Sequence, residues 1–75
     1  MENYTLADAV RGDVVQIVEL KTLAMRKRFL EFGFVRGGII RVIHASRNSV
    51  LVERGNSIIA IDKQSAKSIL VVVKK

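Results

Sequence analysis

Residues 10–18 and 35–43 of this 75-residue chain follow one outline: Val-Arg-Gly, a small or polar residue, two aliphatics, a polar residue, two aliphatics. Each copy couples a turn to a strand. Arg11 and Arg36 take the second turn position. Gly12 and Gly37 take the third, where a type II turn needs positive φ. The β-branched residues that follow favour extended backbone. Two copies do not make a repeat array. They do fix two turn-and-strand units in a chain with room for one domain.

The other elements fill in around these units. Thr5-Leu6-Ala7-Asp8 resembles a capping box, with Thr5 as N-cap and Asp8 three residues on, opening a short helical turn. Residues 14–20 read as a strand in which Gln16 and Glu19 fall on opposite faces, so a bulge, a bend or coverage on both faces is expected. Residues 39–45 read as the next strand. Strict alternation puts His44 on the side of Ile40 and Val42, as a partly buried structural or rim residue. Ser46-Arg47-Asn48-Ser49 is a polar loop. Residues 50–53 and 58–61 form a hairpin through Arg54-Gly55-Asn56-Ser57, where Gly55 and Asn56 are both available for positive φ. Asp62 can cap a helical turn over residues 63–67, and residues 69–73 form the closing strand. Short strands this closely spaced favour a mainly β, closed or partly open five-stranded barrel, because closure hides strand edges. An edge left open is itself a candidate contact for a second copy or a partner. No linker or composition shift divides the chain, so residues 1–75 read as one domain.

Between the two units lies a basic segment. At 100° per residue, Met25, Phe29 and Phe32 share one stripe of a short inserted α-helix over residues 22–32. Arg26, Lys27, Arg28 and Glu31 are left on the other sides. Gly33 has no Cβ and can close the helix in the left-handed conformation, with Phe34 folding back onto Phe29. The expected result is a set of inward phenylalanines and a presented cationic face: Arg26, Lys27 and Arg28, joined by Arg36 of the following turn.

The charge supports that focus. Net charge is +6, and between Lys21 and Arg54 eight cations stand against two carboxylates, so the whole excess lies there. Such a face suits nucleic acid, phosphate or an acidic protein, unless it serves only as a solvated surface. Catalytic chemistry is missing. The chain has no cysteine, which excludes disulfides, zinc knuckles and iron–sulfur clusters. His44 is a lone histidine. The carboxylates are scattered, although Asp8 and Asp13 can approach each other around the first turn. No glycine motif cradles a nucleotide, and no serine sits beside a base. The reading is therefore a non-enzyme with no cofactor and no metal site. The N-terminus lacks a signal-peptide pattern. The longest apolar run, residues 69–73, is far short of the roughly 20 residues that cross a bilayer. A soluble cytoplasmic protein without membrane insertion is expected. Single-strand binders need exposed aromatics as stacking platforms. Here the phenylalanines are expected inward, so nucleic acid is not the expected partner.

With this order of elements the chain resembles the FeoA family, small cytoplasmic proteins of bacterial ferrous iron uptake. The resemblance runs from about Tyr4 to Val73. It rests on Leu6-Ala7-Asp8-Ala9-Val10-Arg11-Gly12-Asp13 before the first strand. It rests further on Arg26-Lys27-Arg28-Phe29-Leu30-Glu31-Phe32-Gly33-Phe34-Val35-Arg36-Gly37, where the family has a basic helix, a leucine-glycine-leucine stop and a Pro-Gly turn. The strand end Ile59-Ala60-Ile61-Asp62 and the turn Ser65-Ala66-Lys67-Ser68-Ile69 complete it. Arg36 replaces the proline, phenylalanines replace leucines around Gly33, Asp62 stands where a basic residue is common, and residues 46–49 lack a Gly-Pro-like hairpin. The resemblance implies an SH3-like barrel with a helix inserted early. It implies a non-enzymatic accessory that docks on a membrane ferrous iron transporter with a cytoplasmic G-protein domain (FeoB type) and supports or regulates it. The docking cations would be Arg26, Lys27, Arg28 and Arg36. No ferrous-ion ligand set is visible, and a homo-oligomer is compatible with the pattern. Two alternatives stand beside it: a small basic barrel that binds nucleic acid, and a free-standing counterpart of the SH3-like domain of metal-dependent repressors.

Overall fold

The structure, a computed structural model, describes residues 4–22, 26–27 and 35–74. Both Val-Arg-Gly turns form. The Asp13 N–H donates to the Val10 carbonyl at 3.0 Å, and the Gly38 N–H donates to the Val35 carbonyl at 2.9 Å. Gly12 and Gly37 sit at φ of +94° and +89°, a conformation that an L side chain resists.

Each turn feeds a strand. The strands are β1 (Val14–Leu20), β2 (Ile39–Ala45), β3 (Ser49–Arg54), β4 (Ser57–Asp62) and β5 (Ile69–Val73), with a one-turn helix α1 (Lys63–Ala66) before the last. They make one antiparallel five-stranded sheet in the order β4-β3-β2-β1-β5. Asp62 caps α1 by accepting from the Ser65 N–H at 3.1 Å. At the other end of the chain, Leu6–Asp8 form a 3-10 turn. The Asp8 Oδ2 reaches back to accept from the Thr5 N–H at 3.0 Å and the Thr5 hydroxyl at 3.2 Å. The β3–β4 hairpin turns on Gly55 at φ +59°; among the described residues positive φ is confined to glycine, so Asn56 does not share it.

The two turn-and-strand units brace each other. The Gly12 N–H donates to the Val42 carbonyl and the Val42 N–H to the Asp13 carbonyl, both at 2.8 Å. In the other unit the Gly37 N–H donates to the Ile17 carbonyl at 2.6 Å, and the Ile17 N–H to the Gly38 carbonyl at 2.8 Å. Exchange Gly12 with Gly37, Asp13 with Gly38 and Val42 with Ile17, and one set becomes the other. Val15 lies directly opposite Ile40, so a local two-fold axis passes between these residues.

The relation extends to the bulges. β1 shifts register against β5 between Ile17 and Glu19, and β2 shifts against β3 between Val42 and His44. An inserted residue reverses the alternation of side chains beyond it. In β1 this resolves the conflict between Gln16 and Glu19: Leu20 becomes buried and neither polar residue does. In β2 the same device overturns the expectation for His44, which is exposed rather than grouped with buried Ile40 and Val42.

The core is aliphatic. Leu6, Val15, Ile17, Ile40, Val42, Val50, Val52, Ile61 and Ile69 are almost fully excluded from solvent, and no polar or charged residue is buried among the described residues. The N-terminal turn is held down by α1, where the Lys63 ammonium donates to the Ala7 carbonyl at 3.0 Å. Arg26 and Lys27 are helical, and the Arg26 N–H donates to the Thr22 carbonyl at 3.1 Å. The expected apolar stripe of Met25, Phe29 and Phe32, the stop at Gly33 with Phe34, and Glu31 all lie outside the described residues.

Candidate partner-binding site

Arg36 occupies the second position of a turn that is fixed from several directions. The Gly37 N–H is bonded to Ile17 of β1. The Gln16 side-chain amide donates to the Gly37 carbonyl at 3.1 Å. The turn therefore closes with arginine where the family pattern has proline, because the glycine after it supplies the required φ. Arg36 itself is exposed.

The segment after β1 brings further cations to the same end of the β1–β2 ladder. Arg26 and Lys27 are exposed. The Arg26 Nε donates to the Leu20 carbonyl at 3.1 Å, which ties the guanidinium to the end of β1. Leu20 and Ile17, the anchor of the second turn, are three residues or about 10 Å apart along the strand. Arg26 thus has a fixed orientation and a structural contact, whereas Lys27 and Arg36 make no hydrogen bond or ion pair with another described residue. Arg28 lies outside the described residues.

The structure adds a cation that the sequence reading did not single out. The guanidinium of Arg54 lies over Gly38: a Cβ built there would sit 3.8 Å from Cζ and Nη1, and 3.1 Å from the Val35 carbonyl. Arg54 therefore stands beside the Arg36 turn. Nothing local in the sequence signals this neighbour, because it depends on how β3 aligns with β2. Ala45 pairs with Val50 and His44 with Leu51. Continued without interruption, that register would set Arg41 opposite Arg54. The bulge moves Arg41 opposite Glu53 instead, and its Nη2 reaches Oε1 at 2.6 Å. A like-charge pair is avoided and Arg54 is released toward the turn. Arg41 is thereby paired and is not part of the free cationic face.

At the opposite end of the ladder, the first turn is built with a carboxylate. The Asp13 Oδ2 accepts from the Val10 N–H at 3.0 Å and from the Tyr4 hydroxyl at 3.3 Å. The same hydroxyl lies 3.1 Å from the Asp8 carbonyl. Burial, then the charge and hydrogen bond of Asp13, then the charge of Asp8, hold the Tyr4 phenol above its usual pKa. Asp8 and Asp13 are thus engaged in their own turns. The depression lined by Arg11, Gly12, Arg41, Val42 and Ile43 is shallow and open. Among the described residues no three His, Asp or Glu side chains gather as a metal site, and no helix is long and apolar enough to cross a membrane.

The model of the FeoA domain family matches residues 4–73. No curated protein sequence matches the chain. Several solved structures share its shape. One is the crystal structure of an iron uptake regulatory protein (FeoA): TM-score 0.86, 20% identity, with 96% of this chain and 99% of that chain covered. The NMR structure of a FeoA-like protein from Clostridium acetobutylicum superposes with a TM-score of 0.85 at 19% identity, covering 100% of this chain and 91% of that one. The solution structure of a FeoA protein from Chlorobium tepidum gives 0.85 at 20% identity, over 96% of this chain and 71% of that one. At these identities the structural likeness speaks to fold, which is mainly β and SH3-like, with the sheet left unclosed between β4 and β5.

Proposed function

The chain belongs to the FeoA family, which ties it to ferrous iron transport, and from that premise we propose that it is a non-enzymatic cytoplasmic accessory that docks on a membrane ferrous iron transporter. The docking target is the transporter's cytoplasmic G-protein domain, and the effect is to support or regulate transport. The family is a transport-associated domain and not a known enzyme family.

The observation that carries the reading is the cationic end of the β1–β2 ladder. There Arg36 projects from a turn pinned to Ile17 and Gln16, with Arg54 beside it and Arg26 anchored at Leu20. Rigid presentation lowers the ordering cost of binding. Several like charges in one place steer an acidic partner and reject a basic one. Lys27, Arg28 and Arg36 act as the direct docking cations in this proposal. Arg26 contributes its charge while holding the segment to β1.

The test is co-purification with the soluble G-domain of a FeoB-type transporter. The double variant Lys27→Glu, Arg36→Glu should weaken capture at least about tenfold while circular dichroism is unchanged. Wild-type capture should also fall as salt rises through the range where the Debye length drops below about 8 Å. Capture by the double variant equal to wild type would remove these residues from the interface. Arg26→Glu belongs in a separate arm, because it also breaks the contact with Leu20.

A further inference from the structure

The two-fold relation between the turn-and-strand units fails at one pair of side chains. Gln16 and Arg41 hold equivalent positions, Gln16 opposite Ile39 and Arg41 opposite Val14. In the second unit Gln16 folds over the turn, and its amide donates to the Gly37 carbonyl at 3.1 Å. Arg41 turns away from its turn: Nε and Nη2 donate to Oε1 of Glu53 at 3.2 and 2.6 Å. The Gly12 carbonyl, equivalent to that of Gly37, thus receives no side-chain donor among the described residues. The place that Gln16 fills in one unit is left open in the other. It is a depression of about 220 Å³ lined by Arg11, Gly12, Arg41, Val42 and Ile43. Pockets for drug-sized ligands start at roughly 300 Å³, so this one suits a small ion.

Arginines border this depression and no carboxylate lines it. Arg11 is exposed and makes no hydrogen bond or ion pair with another described residue. Glu53 offsets the charge of Arg41 but engages only Nε and Nη2, so Nη1 has no partner among the described residues. Asp13, the nearest carboxylate in sequence to Arg11, is turned to the Val10 N–H and the Tyr4 hydroxyl. Guanidinium groups present several N–H donors to an oxyanion, and charge-assisted hydrogen bonds are stronger than neutral ones. The Gly12 carbonyl adds an acceptor to these donors. The anion that fits therefore carries a hydroxyl hydrogen as well as charged oxygens.

We infer that this depression binds inorganic phosphate, whose charged oxygens accept from Arg11 and Arg41 while its P–OH donates to the Gly12 carbonyl. Sulfate offers acceptors only and would set an oxygen against that carbonyl. A phosphate monoester that has lost its second proton has the same defect. Acetate brings a single charge and no hydroxyl. Both arginines are exposed, so water competes for them and the affinity is low. The site lies at the opposite end of the β1–β2 ladder from the docking cations, and its test does not depend on the transporter.

An NMR titration of the full chain with sodium phosphate, at about pH 7.5 and fixed ionic strength, should show saturable amide shifts at Gly12, Val42 and Ile43 with Kd on the order of 10 mM. Sulfate, acetate and methyl phosphate (without its P–OH at this pH) should each bind at least about threefold more weakly. Two variants test the cradle. Arg11→Gln removes one guanidinium from an exposed position and should weaken phosphate at least about fivefold. Arg41→Gln copies Gln16 into the first unit: its amide should reach the Gly12 carbonyl, close the depression and abolish the saturable shifts. Elsewhere the spectrum should keep the wild-type fold. Shifts that never saturate, equal affinity for any of the three comparison anions, or phosphate binding unchanged in whichever variant stays folded would overturn the inference. So would a saturable response confined to Lys27 and Arg36, which would put the anion on the docking face.

Discussion

The first and second turn-and-strand units share geometry and differ in what surrounds it. Both turns place glycine near φ +90°, and both donate and accept across to the partner strand at the same relative positions. Around the first turn the structure adds Asp13 and Tyr4, which fasten the turn internally. Around the second, Gly38 replaces the carboxylate and Arg54 covers the space above it. Both turns expose the arginine at their second position, but the first is fastened by a carboxylate and a phenol, whereas the second has Arg54 beside Arg36. Equal backbone chemistry has thus given two differently finished ends, one fastened by a carboxylate and one carrying the cations proposed for docking. The difference lies in side chains supplied by other elements.

The strongest test of the shared geometry is at the axis. Val15 and Ile40 face each other and are both almost wholly buried. Ile40→Ala should cost about 2–4 kcal/mol in denaturant unfolding, with Val15→Ala somewhat less because fewer methylenes are lost. A loss at one site several times larger than at the other would show that the two halves do not share the core equally.

Smaller effects are expected at the turns. No atom outside the turn lies within 4 Å of a Cβ built at Gly12 or Gly37. Alanine there costs only backbone strain, about 1–2 kcal/mol at each. Equal losses in melting temperature would sharpen the equivalence. Gly38→Ala breaks it, because its Cβ meets the Val35 carbonyl at 3.1 Å, whereas the equivalent Asp13 accommodates a side chain.

The smallest effect distinguishes the two corners by pH. The Tyr4 pKa is raised by burial first and by Asp13 and Asp8 next. The folded chain therefore holds the phenolic proton more tightly than the unfolded chain. Stability from this group is full below the ordinary tyrosine value of about 10 and is lost as pH rises through the higher folded value. The stability difference between wild type and Tyr4→Phe should thus shrink above about pH 10. A constant difference would show that the hydroxyl is not sensing the carboxylates. The second corner, with glycine at position 38, has no counterpart to this dependence.

Much of the architecture was legible because its signals are local. Both type II turns, the reach of Asp8 back to Thr5, the Asp62 cap and the extent of β1 and β2 follow from φ preferences, side-chain reach and β-branching within a few residues. The bulge in β1 was also signalled, by Gln16 and Glu19 on faces that strict alternation could not reconcile. The matching bulge in β2 was missed at His44. Its only sequence sign was the outline shared with β1, which makes Glu19 and His44 equivalent. The cationic site was legible in part. Arg36 and Lys27 are exposed as expected, but the Leu20 anchor of Arg26 and the place of Arg54 were not foreseen.

The sequence by itself determined where the chain turns, which stretches extend, and that its positive charge concentrates between Lys21 and Arg54. Only the tertiary structure decided the registers: Arg41 against Glu53 rather than Arg54, and Ile17 against the second turn. The reason is range. Dihedral preferences and caps act over three or four residues, whereas a strand's alignment is set by fitting aliphatic side chains from all five strands into one core.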